Sequence, residues 1–517
     1  MKKSILFSLV TLMVASLQAA NTYRVTPDAP GGGDGQSWAT PMTINEAVNT
    51  VYNSSVHGHV ILCKAGVYVP TAKFNLVRNL TVRGGLAGTD DTTLDPNGER
   101  TIIDGENSSA LSPIFKISAG DPSTFENLEI RNAYFRAFDK SGSGDIKFKN
   151  CVFDSCGKNY QNHDQNFTLR GGAGRFIGGD TAAATIMFEN CVFSRNMYEP
   201  NVNSNIGYGL AVAFQKCKRV TIDNCLFVSN GLGRACLMST KDGKGVNNMR
   251  GAAIYSESPV TIRNTEFRAN RAGISAALGG VVYIKDVSGT SSFTNCLFLA
   301  NSCEHCNTDT TTAAAGVLVF RSKTKGILDV VNCTFAYNYT DSRNQVSAGI
   351  DIGTYISPGS QNAEANIKNT IFYGTKKHAN LKGGKDINVA SGCTANIDYC
   401  LFEEDSAACI SGTGTKTIGS NNVFGDPKFE RAITADEIAS IMVNNGTYYG
   451  YSADAYENVF SKADVHALNR KLTVDTGDPT SPFDKEPRPN GKRVNLGYYG
   501  NTPDALPTIY GMRIIVR

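Results

Sequence analysis

Short runs of alternating apolar and polar residues recur along the chain, and most of them contain the same phrase. The phrase reads apolar-x-Asn-Cys-x-Phe, as in Phe148–Phe153 and Ile222–Phe227. Alternation with a period of two predicts a half-buried β-strand. Copies of the phrase begin at Phe148, Phe188, Ile222, Ile262, Phe293, Val330, Ile367 and Ile397, and Leu128–Asn132 is a weaker first copy. The sequence is therefore a repeat with a period of about 30–40 residues.

One such unit cannot bury its own apolar face, whereas stacked copies share a continuous core. The motif Asn residues are 31 to 40 positions apart, so the variable length is expected in outer loops around a constant coil. We therefore predict an all-β fold, a right-handed parallel β-helix. Because exposed edge strands aggregate, a solenoid needs covered ends. We expect a short N-terminal capping helix and an irregular C-terminal cap.

Asn and Cys occupy fixed places in the repeat. Asn tolerates left-handed backbone and bonds its neighbours through its amide, so it suits the bends, where stacked amides can form a ladder. A second Asn follows the phrase at positions 196, 230, 270, 301 and 338. The motif cysteines should face inward as small apolar residues, and in-register neighbours lack the convergent geometry of a disulfide. We predict free, buried thiols at Cys151, Cys191, Cys225, Cys296, Cys333 and Cys400.

The segments outside the repeats suggest four regions. Residues 1–20 read as a signal peptide, with Lys2 and Lys3 before the apolar run Ile5–Ala15 and small residues at its end. Residues 21–105 are expected to form the N-terminal cap and first coils, and Thr43–Tyr52 reads as an amphipathic helix with Thr43 as its N-cap. Residues 106–425 should form the central coils. Residues 426–517 should form the last coils and a cap, with a short helix at Thr434–Met442.

Charge and hydropathy narrow the classes of partner. The formal net charge of the whole chain is only +3, which argues against a nucleic-acid-binding protein. No stretch after the apolar leader approaches the length of a transmembrane helix. We expect an exported protein, secreted or on the outer surface, that is a monomer. Local basic patches for an acidic polysaccharide remain compatible with this charge.

Several segments resemble a known group of proteins. Tyr23–Val25, Gly31–Thr40 and Val60–Tyr68 look like the start of bacterial secreted proteins of the pectin-lyase-like β-helix superfamily. Asp475–Pro479 and Pro489–Gly497 resemble the closing segment of its choice-of-anchor subset, and the repeats look like those of polymorphic outer membrane proteins. The resemblance implies the fold and export. It leaves activity open, because this fold hosts lyases, hydrolases, adhesins and tail spikes alike.

The middle coils carry the candidate chemistry. Arg250, Arg271, Lys285 and Arg321 would form an anion-binding groove if they converged on one outer face. A polysaccharide lyase needs a base, usually Lys or Arg on this fold, and often Ca²⁺ to neutralise the substrate carboxylate. The alternative is that these are ordinary solvated charges.

Other signals are weaker. The carboxylate set of a polygalacturonase is not assembled, because Asn307–Asp309 stands alone and no Gly-His-Gly occurs. Cys303, His305 and Cys306 could contribute to a zinc site, but a local disulfide or two unpaired thiols is the alternative. Asp426 and the segment Asp475–Asp478 could bind Ca²⁺ or serve as turn residues. No cofactor is identified.

Two functions follow from these observations. The first is a non-catalytic protein that binds or presents to an extracellular polysaccharide or host surface. The second is a polysaccharide lyase, or a glycoside hydrolase, acting on an acidic polysaccharide through the basic groove. Because no complete catalytic set can be read from the sequence, the binding protein is favoured.

Overall fold

The chain winds into a stack of coils whose strands form three long sheets. The computed structural model describes residues 20–509 except 77–78, 119, 121, 158–168, 180–182, 199–206, 233–248, 275–279, 306–315, 341–346, 354–360, 378–384, 445–448 and 453–454. The expected signal peptide lies almost entirely outside these residues. Within them, no helix is long and apolar enough to cross a membrane.

Each complete coil contributes one strand to each long sheet, and every strand pair within these sheets is parallel. The first sheet contains Thr22–Val25, His59–Lys64, Leu80–Leu86, Ser123–Glu126, Ile146–Lys149, Thr185–Glu189, Arg219–Asp223, Val260–Arg263, Gly289–Thr294, Gly326–Val331, Ala363–Lys368, Thr394–Asp398 and Thr415–Ile418. The second sheet contains Gly66–Tyr68, Thr101–Asp104, Leu128–Arg131, Val152–Asp154, Val192–Ser194, Leu226–Val228, Glu266–Arg268, Leu297–Leu299, Thr334–Ala336, Ile371–Tyr373, Leu401–Phe402 and Val423–Phe424.

The third sheet and the smaller elements complete the fold. The third sheet contains Phe74–Leu76, Phe115–Ile117, Phe138–Lys140, Gly174–Ile177, Val212–Gln215, Ile254–Ser256, Val282–Lys285, Leu318–Arg321, Ser347–Ile352, Lys385–Val389 and Ile410–Ser411. Two narrow parallel sheets contain Met197–Tyr198, Gly231–Leu232, Arg271–Ile274, Ser302–His305, Tyr339–Thr340 and Lys376–Lys377, and Leu169–Arg170, Gly207–Tyr208 and Met249–Arg250. Antiparallel pairs join Phe429–Arg431 to Asp464–Ala467 and Met442–Asn444 to Tyr449–Tyr451. The helices are Ile44–Asn53, Ser406–Cys409, Ala435–Ile441, Ala455–Asn458 and Arg470–Thr473, with 3₁₀ turns at Ser109–Leu111 and Phe460–Lys462.

The predicted parallel β-helix is thus confirmed, and its register follows the repeated phrase. The motif phenylalanines of the second sheet pair directly, as Phe153 does with Phe193. Their rings stack from coil to coil with centroids 4.4 to 5.1 Å apart, from Phe153 through Phe402. The weaker first copy was placed wrongly. It begins at Phe125 rather than Leu128, because Phe125 pairs with Phe148.

Asparagines hold two corners, in two different ways. At the first corner, between the first and second sheets, the motif Asn adopts left-handed backbone in each copy from Asn127 to Asn369, and Tyr399 does so in the last. At the second corner, the five following Asn residues are fully buried. There the amide of Asn270 donates to Asn301 Oδ1 and to the carbonyl of Phe227, both at 2.9 Å, and the same pattern joins Asn196 to Asn338. The residue before each of these Asn residues, and not the Asn itself, takes the left-handed conformation.

The six motif cysteines line one side of the same interior. Each is buried and a free thiol, as predicted. Their Sγ atoms contact backbone carbonyls of their own or the neighbouring coil, as Cys296 does with Ile262. The cysteines at this small inward position are thus held by packing and weak hydrogen bonds rather than by disulfides.

The predicted N-terminal helix is confirmed and spans Ile44–Asn53. Thr43 accepts from the backbone of Glu46, and the Glu46 carboxylate accepts in return from the Thr43 backbone, a capping box. Its apolar side, including Val48 and Val51, is buried against the first coil. The second predicted helix is also present, at Ala435–Ile441.

The C-terminal segment, residues 426–509, lies along the flank of the later coils. Its apolar residues, including Phe429 and Phe460, share a buried cluster with outward residues of the second sheet such as Leu299 and Ala336, and with Tyr337 just after that sheet. It also covers the first corner. Asn295 Nδ2 donates to the carbonyl of Tyr498 at 2.9 Å, and Asn369 Nδ2 donates to Ser481 Oγ at 3.0 Å.

Candidate functional site

The outer face of the third sheet in the middle coils carries the candidate site. Strand register places Ala213, Tyr255, Tyr283, Val319 and Asp351 side by side in one outward column, each on a successive coil. Alternate side chains of a strand point to the same face, so a second column two residues further along faces the same way. That column contains Gln215, Glu257, Lys285 and Arg321. We call these two columns, with Tyr208 and Arg250 beside them, the third-sheet face.

Three tyrosines and one arginine form its aromatic part. The rings of Tyr208 and Tyr255 stack with centroids 4.6 Å apart, and those of Tyr255 and Tyr283 are 6.0 Å apart. The Arg250 guanidinium lies 4.8 Å from the centre of the Tyr208 ring and 5.9 Å from that of Tyr283. Contacts of this kind hold a cation over the electron-rich face of a ring.

The second column is a chain of polar and charged groups. The amide of Gln215 donates to Glu257 Oε2 at 2.7 Å, and the hydroxyl of Tyr255 donates to Glu257 Oε1. The Lys285 ammonium lies 3.7 Å from Glu257 and 3.3 Å from Asp286. Lys285 therefore has two acidic neighbours.

Arg321 is next to Lys285 in the sheet, and its position differs from that of a surface arginine. It is only 7% exposed, and no ion pair of the described residues includes it. Its Nε, the Nε of Arg250 and the hydroxyl of Tyr283 are buried atoms without a hydrogen-bond partner. A buried charge is costly unless it is paired. Arg321 is therefore a largely buried cation and Arg250 a half-buried one, and among the described residues neither guanidinium lies within ion-pair distance of a carboxylate.

A buried carboxyl group extends the site. Asp351 is fully buried, one of its oxygens accepts from the backbone of Gly316, and its Oδ1 has no partner. Desolvation is the dominant cause that raises the pKa of Asp351 to about 7, against hydrogen bonds that lower it. Asp386, on the following third-sheet strand, is likewise buried, and desolvation raises its pKa to about 7. Carboxyl groups that titrate near neutrality can give or take a proton.

The structure brings three of the four predicted basic residues together. Arg250, Lys285 and Arg321 lie around Tyr283, as the convergent reading of the sequence requires. Arg271 does not join them. It belongs to a narrow sheet, where its Nη2 donates to the carbonyl of Ser452 in the C-terminal segment at 2.8 Å.

The predicted metal ligands are only partly described. Cys303 lies in the apolar core, with its Sγ 3.6 Å from the carbonyl oxygen of Gly316. Cys306 and the side chain of His305 lie outside the described residues, so the zinc site stays a prediction. The carboxylates considered for Ca²⁺ have local partners: Asp426 accepts from the Lys428 backbone, and Asp478 pairs with Lys368 at 2.9 Å.

Sequence reasoning missed the tyrosines and Asp351. Their signal was present, because each stands at an outward position of a Gly-led apolar strand where a solvated residue is expected. A polar or aromatic residue in the same outward place on consecutive coils could have identified the column. The register needed to align those places lies outside the repeated phrase, since the loops between the second and third sheets differ in length.

The similarity of this chain to known proteins is low. No family model matches the chain, and no curated protein matches it either. Among solved structures, pectate lyase Pel9A is 13% identical with a TM-score of 0.39, covering 93% of this chain and 97% of that one. An alginate lyase of family PL6 in complex with a trisaccharide is 13% identical with a TM-score of 0.33, covering 95% and 97%. PfbA, a surface adhesin of Streptococcus pneumoniae, is 12% identical with a TM-score of 0.33, covering 83% and 98%. Similarity this low does not separate an enzyme from a binding protein.

Proposed function

We propose that this chain, a parallel β-helix of the pectin-lyase-like fold, binds an acidic polysaccharide on its third-sheet face. The observation that carries the proposal is the pair of guanidinium groups, Arg250 and Arg321, whose buried Nε atoms have no partner. Burying such a group without a partner costs about 1–3 kcal/mol or more, so the arrangement is best explained by an anionic ligand.

The chemistry of the face fits a chain of uronic acids. A guanidinium is planar and binds a carboxylate through two parallel hydrogen bonds, a geometry that a solvated lysine lacks. The Tyr255 and Tyr283 rings are fully buried and Tyr208 is only 9% exposed, so these rings pack beneath the site and hold the Arg250 guanidinium in place rather than stacking on a sugar. Arg250, Lys285 and Arg321 lie on three successive coils, as a polymer ligand needs.

The same face favours a lyase as the second candidate function. β-Elimination from a uronic acid requires that the substrate carboxylate be neutralised, that a base remove the neighbouring proton, and that the leaving oxygen be protonated. Arg250 and Arg321 supply positive charge, and Lys285 is the basic residue between them. Asp351 stands two strands from Tyr283, about 10 Å away at the usual strand spacing, and its raised pKa suits proton transfer.

Location outside the cell is part of the proposal. The basic residues and apolar run at the start of the sequence support export, and a polysaccharide ligand is extracellular. A test is N-terminal sequencing of the protein recovered from the medium or envelope of an expressing bacterium. Export with cleavage near residue 20 is expected, and an intact Met1 in the cytoplasm would contradict it.

The binding test uses the whole chain and Arg321→Gln. Titration calorimetry with oligogalacturonate and oligoalginate is expected to show binding to one of them that weakens about tenfold or more in the variant, because a charge-assisted bidentate contact is lost. Lys116→Gln is the matched control, since Lys116 is an exposed cation at an outward position of the same sheet. Equal loss in both variants, or no binding of either polymer, contradicts the proposal.

The lyase candidate is separated from simple binding by the product. Incubation with the bound polymer is expected to produce the ultraviolet absorbance of an unsaturated uronate if the chain is a lyase, and Lys285→Ala should abolish it. Binding without this absorbance, with and without added Ca²⁺, leaves the binding function and removes the lyase.

A further inference from the structure

A cavity lies on the outside of the first sheet, away from the third-sheet face. Its volume is about 580 Å³, within the range of ligand sites. Its floor is formed by outward residues of consecutive first-sheet strands, and Asp478 of the C-terminal segment lies at its side. Its lining includes Ser292, Asp329, Asn366, Asn396, Tyr399 and Asp478. We call this cavity the first-sheet groove.

The floor presents one polar side chain per coil. Ser292, Asp329, Asn366 and Asn396 are in register on successive strands. Asn396 Nδ2 donates to Asn366 Oδ1 at 3.0 Å, and Asn366 Nδ2 donates to Asp329 Oδ1 at 2.9 Å. The amides are thus fixed in orientation before any ligand arrives. The row spans three strand spacings, about 14 Å, which suits an extended ligand with repeating hydrogen-bonding groups.

Tyr399 closes the groove at the first corner. Each earlier copy from Asn127 to Asn369 has a left-handed Asn at this corner, and Tyr399 takes the same conformation, with φ of 52°, although it is not Asn. A bulky residue in this conformation costs about 1–2 kcal/mol, so its presence points to a use for the ring. The Arg493 guanidinium lies 5.6 Å from the ring centre, and it is held in turn by its Nε, which donates to the carbonyl of Gly477 at 2.9 Å. The ring is therefore supported by a cation that is itself anchored.

The charges of the groove exclude an acidic polymer. Asp329, Asp398 and Asp478 line it, and Lys368, the lysine among the described lining residues, is paired with Asp478 at 2.9 Å. Desolvation raises the pKa of Asp478, but hydrogen bonds from Lys368 and Thr480 outweigh it and lower the pKa to about 2, so this carboxylate stays charged at neutral pH. Carboxylates and amides are instead the groups that bind vicinal hydroxyls, and an aromatic ring at the end suits a sugar face.

From this geometry we propose that the first-sheet groove is a second carbohydrate site, specific for an uncharged glycan chain. The Asn366 and Asn396 amides and the Asp329 carboxylate bind sugar hydroxyls, and Tyr399 stacks on a sugar ring at the first corner. The site shares no residue with the third-sheet face. The molecule then joins an acidic polymer on one side to a neutral one on another.

The test is titration calorimetry of the whole chain with neutral oligosaccharides from xylan, mannan and mixed-linkage β-glucan. At least one is expected to bind. Tyr399→Asn is expected to weaken binding about tenfold, because the stacking ring is lost. This variant introduces the residue that the earlier copies carry at the corner, so its thermal unfolding should match or exceed that of the wild type. Asn396→Ala, at an exposed position, should weaken binding about fivefold through the lost amide.

Controls keep the two sites distinguishable. Arg321→Gln and Lys116→Gln should leave neutral-glycan binding unchanged, and Tyr399→Asn should leave binding of the acidic polymer unchanged. If none of the three neutral oligosaccharides binds at millimolar concentration, the proposal is wrong. It is equally wrong if Tyr399→Asn and Asn396→Ala both bind the neutral oligosaccharide as tightly as the wild type does. A parallel titration with Ca²⁺ alone is the last check: if the two variants change only Ca²⁺ binding, the groove is not a carbohydrate site.

Discussion

The asparagine ladder and the third-sheet face both bury polar side chains, but they treat them differently. In the ladder, Asn270 donates to a neighbouring amide and to a backbone carbonyl, and its own oxygen accepts from Asn230. On the third-sheet face, Arg250, Tyr283 and Arg321 each carry a buried atom without a partner. A satisfied polar network stabilises and specifies a fold, whereas an unsatisfied one costs stability. The difference indicates that the ladder serves the coil and the face serves a ligand.

Substitutions in the asparagine ladder should therefore cause the larger loss of folding stability. Asn270→Ala removes the amide that joins three coils and leaves the Asn230 backbone N–H and the Phe227 carbonyl without their partner. The free energy of unfolding is expected to fall by about 4 kcal/mol, since each buried orphan costs about 1–3 kcal/mol. Chemical denaturation followed by circular dichroism measures this. Asn264→Gly, at the exposed first corner where glycine keeps the backbone conformation, should cost far less. Equal losses in the two variants would show that the ladder carries no special stability.

On the third-sheet face, by contrast, replacing a buried polar group should increase stability at neutral pH. The folded-state pKa of Asp351 is about 7 and its ordinary value is 3.8, so the folded protein binds the proton more tightly than the unfolded chain does. Its contribution to stability is therefore present below pH 4 and is lost as pH rises to 7. Asp351→Asn abolishes this loss. The stability of the variant relative to the wild type should increase by about 4 kcal/mol between pH 4 and pH 8.

Denaturation at several pH values measures that difference. If the difference between Asp351→Asn and the wild type is constant from pH 4 to pH 8, the Asp351 carboxyl titrates normally and is not a proton donor near neutrality.

The smallest expected effect concerns the reactivity of the motif cysteines. Their labelling reports which positions are buried without any change to the sequence. Burial raises the pKa of the Cys191 and Cys296 thiols, and the six motif thiols are inaccessible. Since the thiolate is the reactive form, they should not react with a thiol reagent in the native state and should all react after unfolding. Mass spectrometry after brief labelling counts them. Labelling of Cys225 or Cys333 in the native protein would show that the coils open locally.

Much of this fold could be predicted from sequence, and the reason is periodicity. The repeated phrase contains a strand end, a corner and the start of the next strand, so stacking copies fixes the first and second sheets together. The N-terminal helix was also predictable, because Thr43 and Glu46 form a local capping signal. The path of the C-terminal segment was not predictable. Its contacts, such as Tyr498 with Glu266, join residues 232 positions apart and follow no repeat.

The candidate site was predictable only in part. The four basic residues were visible as sequence, and three of them converge because they lie on or beside the third sheet. Arg271 diverges because its strand belongs to a different, narrow sheet. The tyrosine column was missed since its alignment depends on loops of unequal length. The environment of Asp351, which alters its acidity, depends on burial that no local pattern reveals.

The long reach of the C-terminal segment has a consequence for how the molecule is made. Synthesis completes the coils around Leu299 and Tyr337 well before Phe429 and Phe460 emerge to cover them. Until then the nascent solenoid exposes an apolar surface along the second sheet, and such surfaces promote self-association. During synthesis the chain is therefore prone to aggregation from the time these coils form until the C-terminal segment packs against them. A chain truncated before residue 426 would expose this surface permanently. We expect it to aggregate while its coils stay folded.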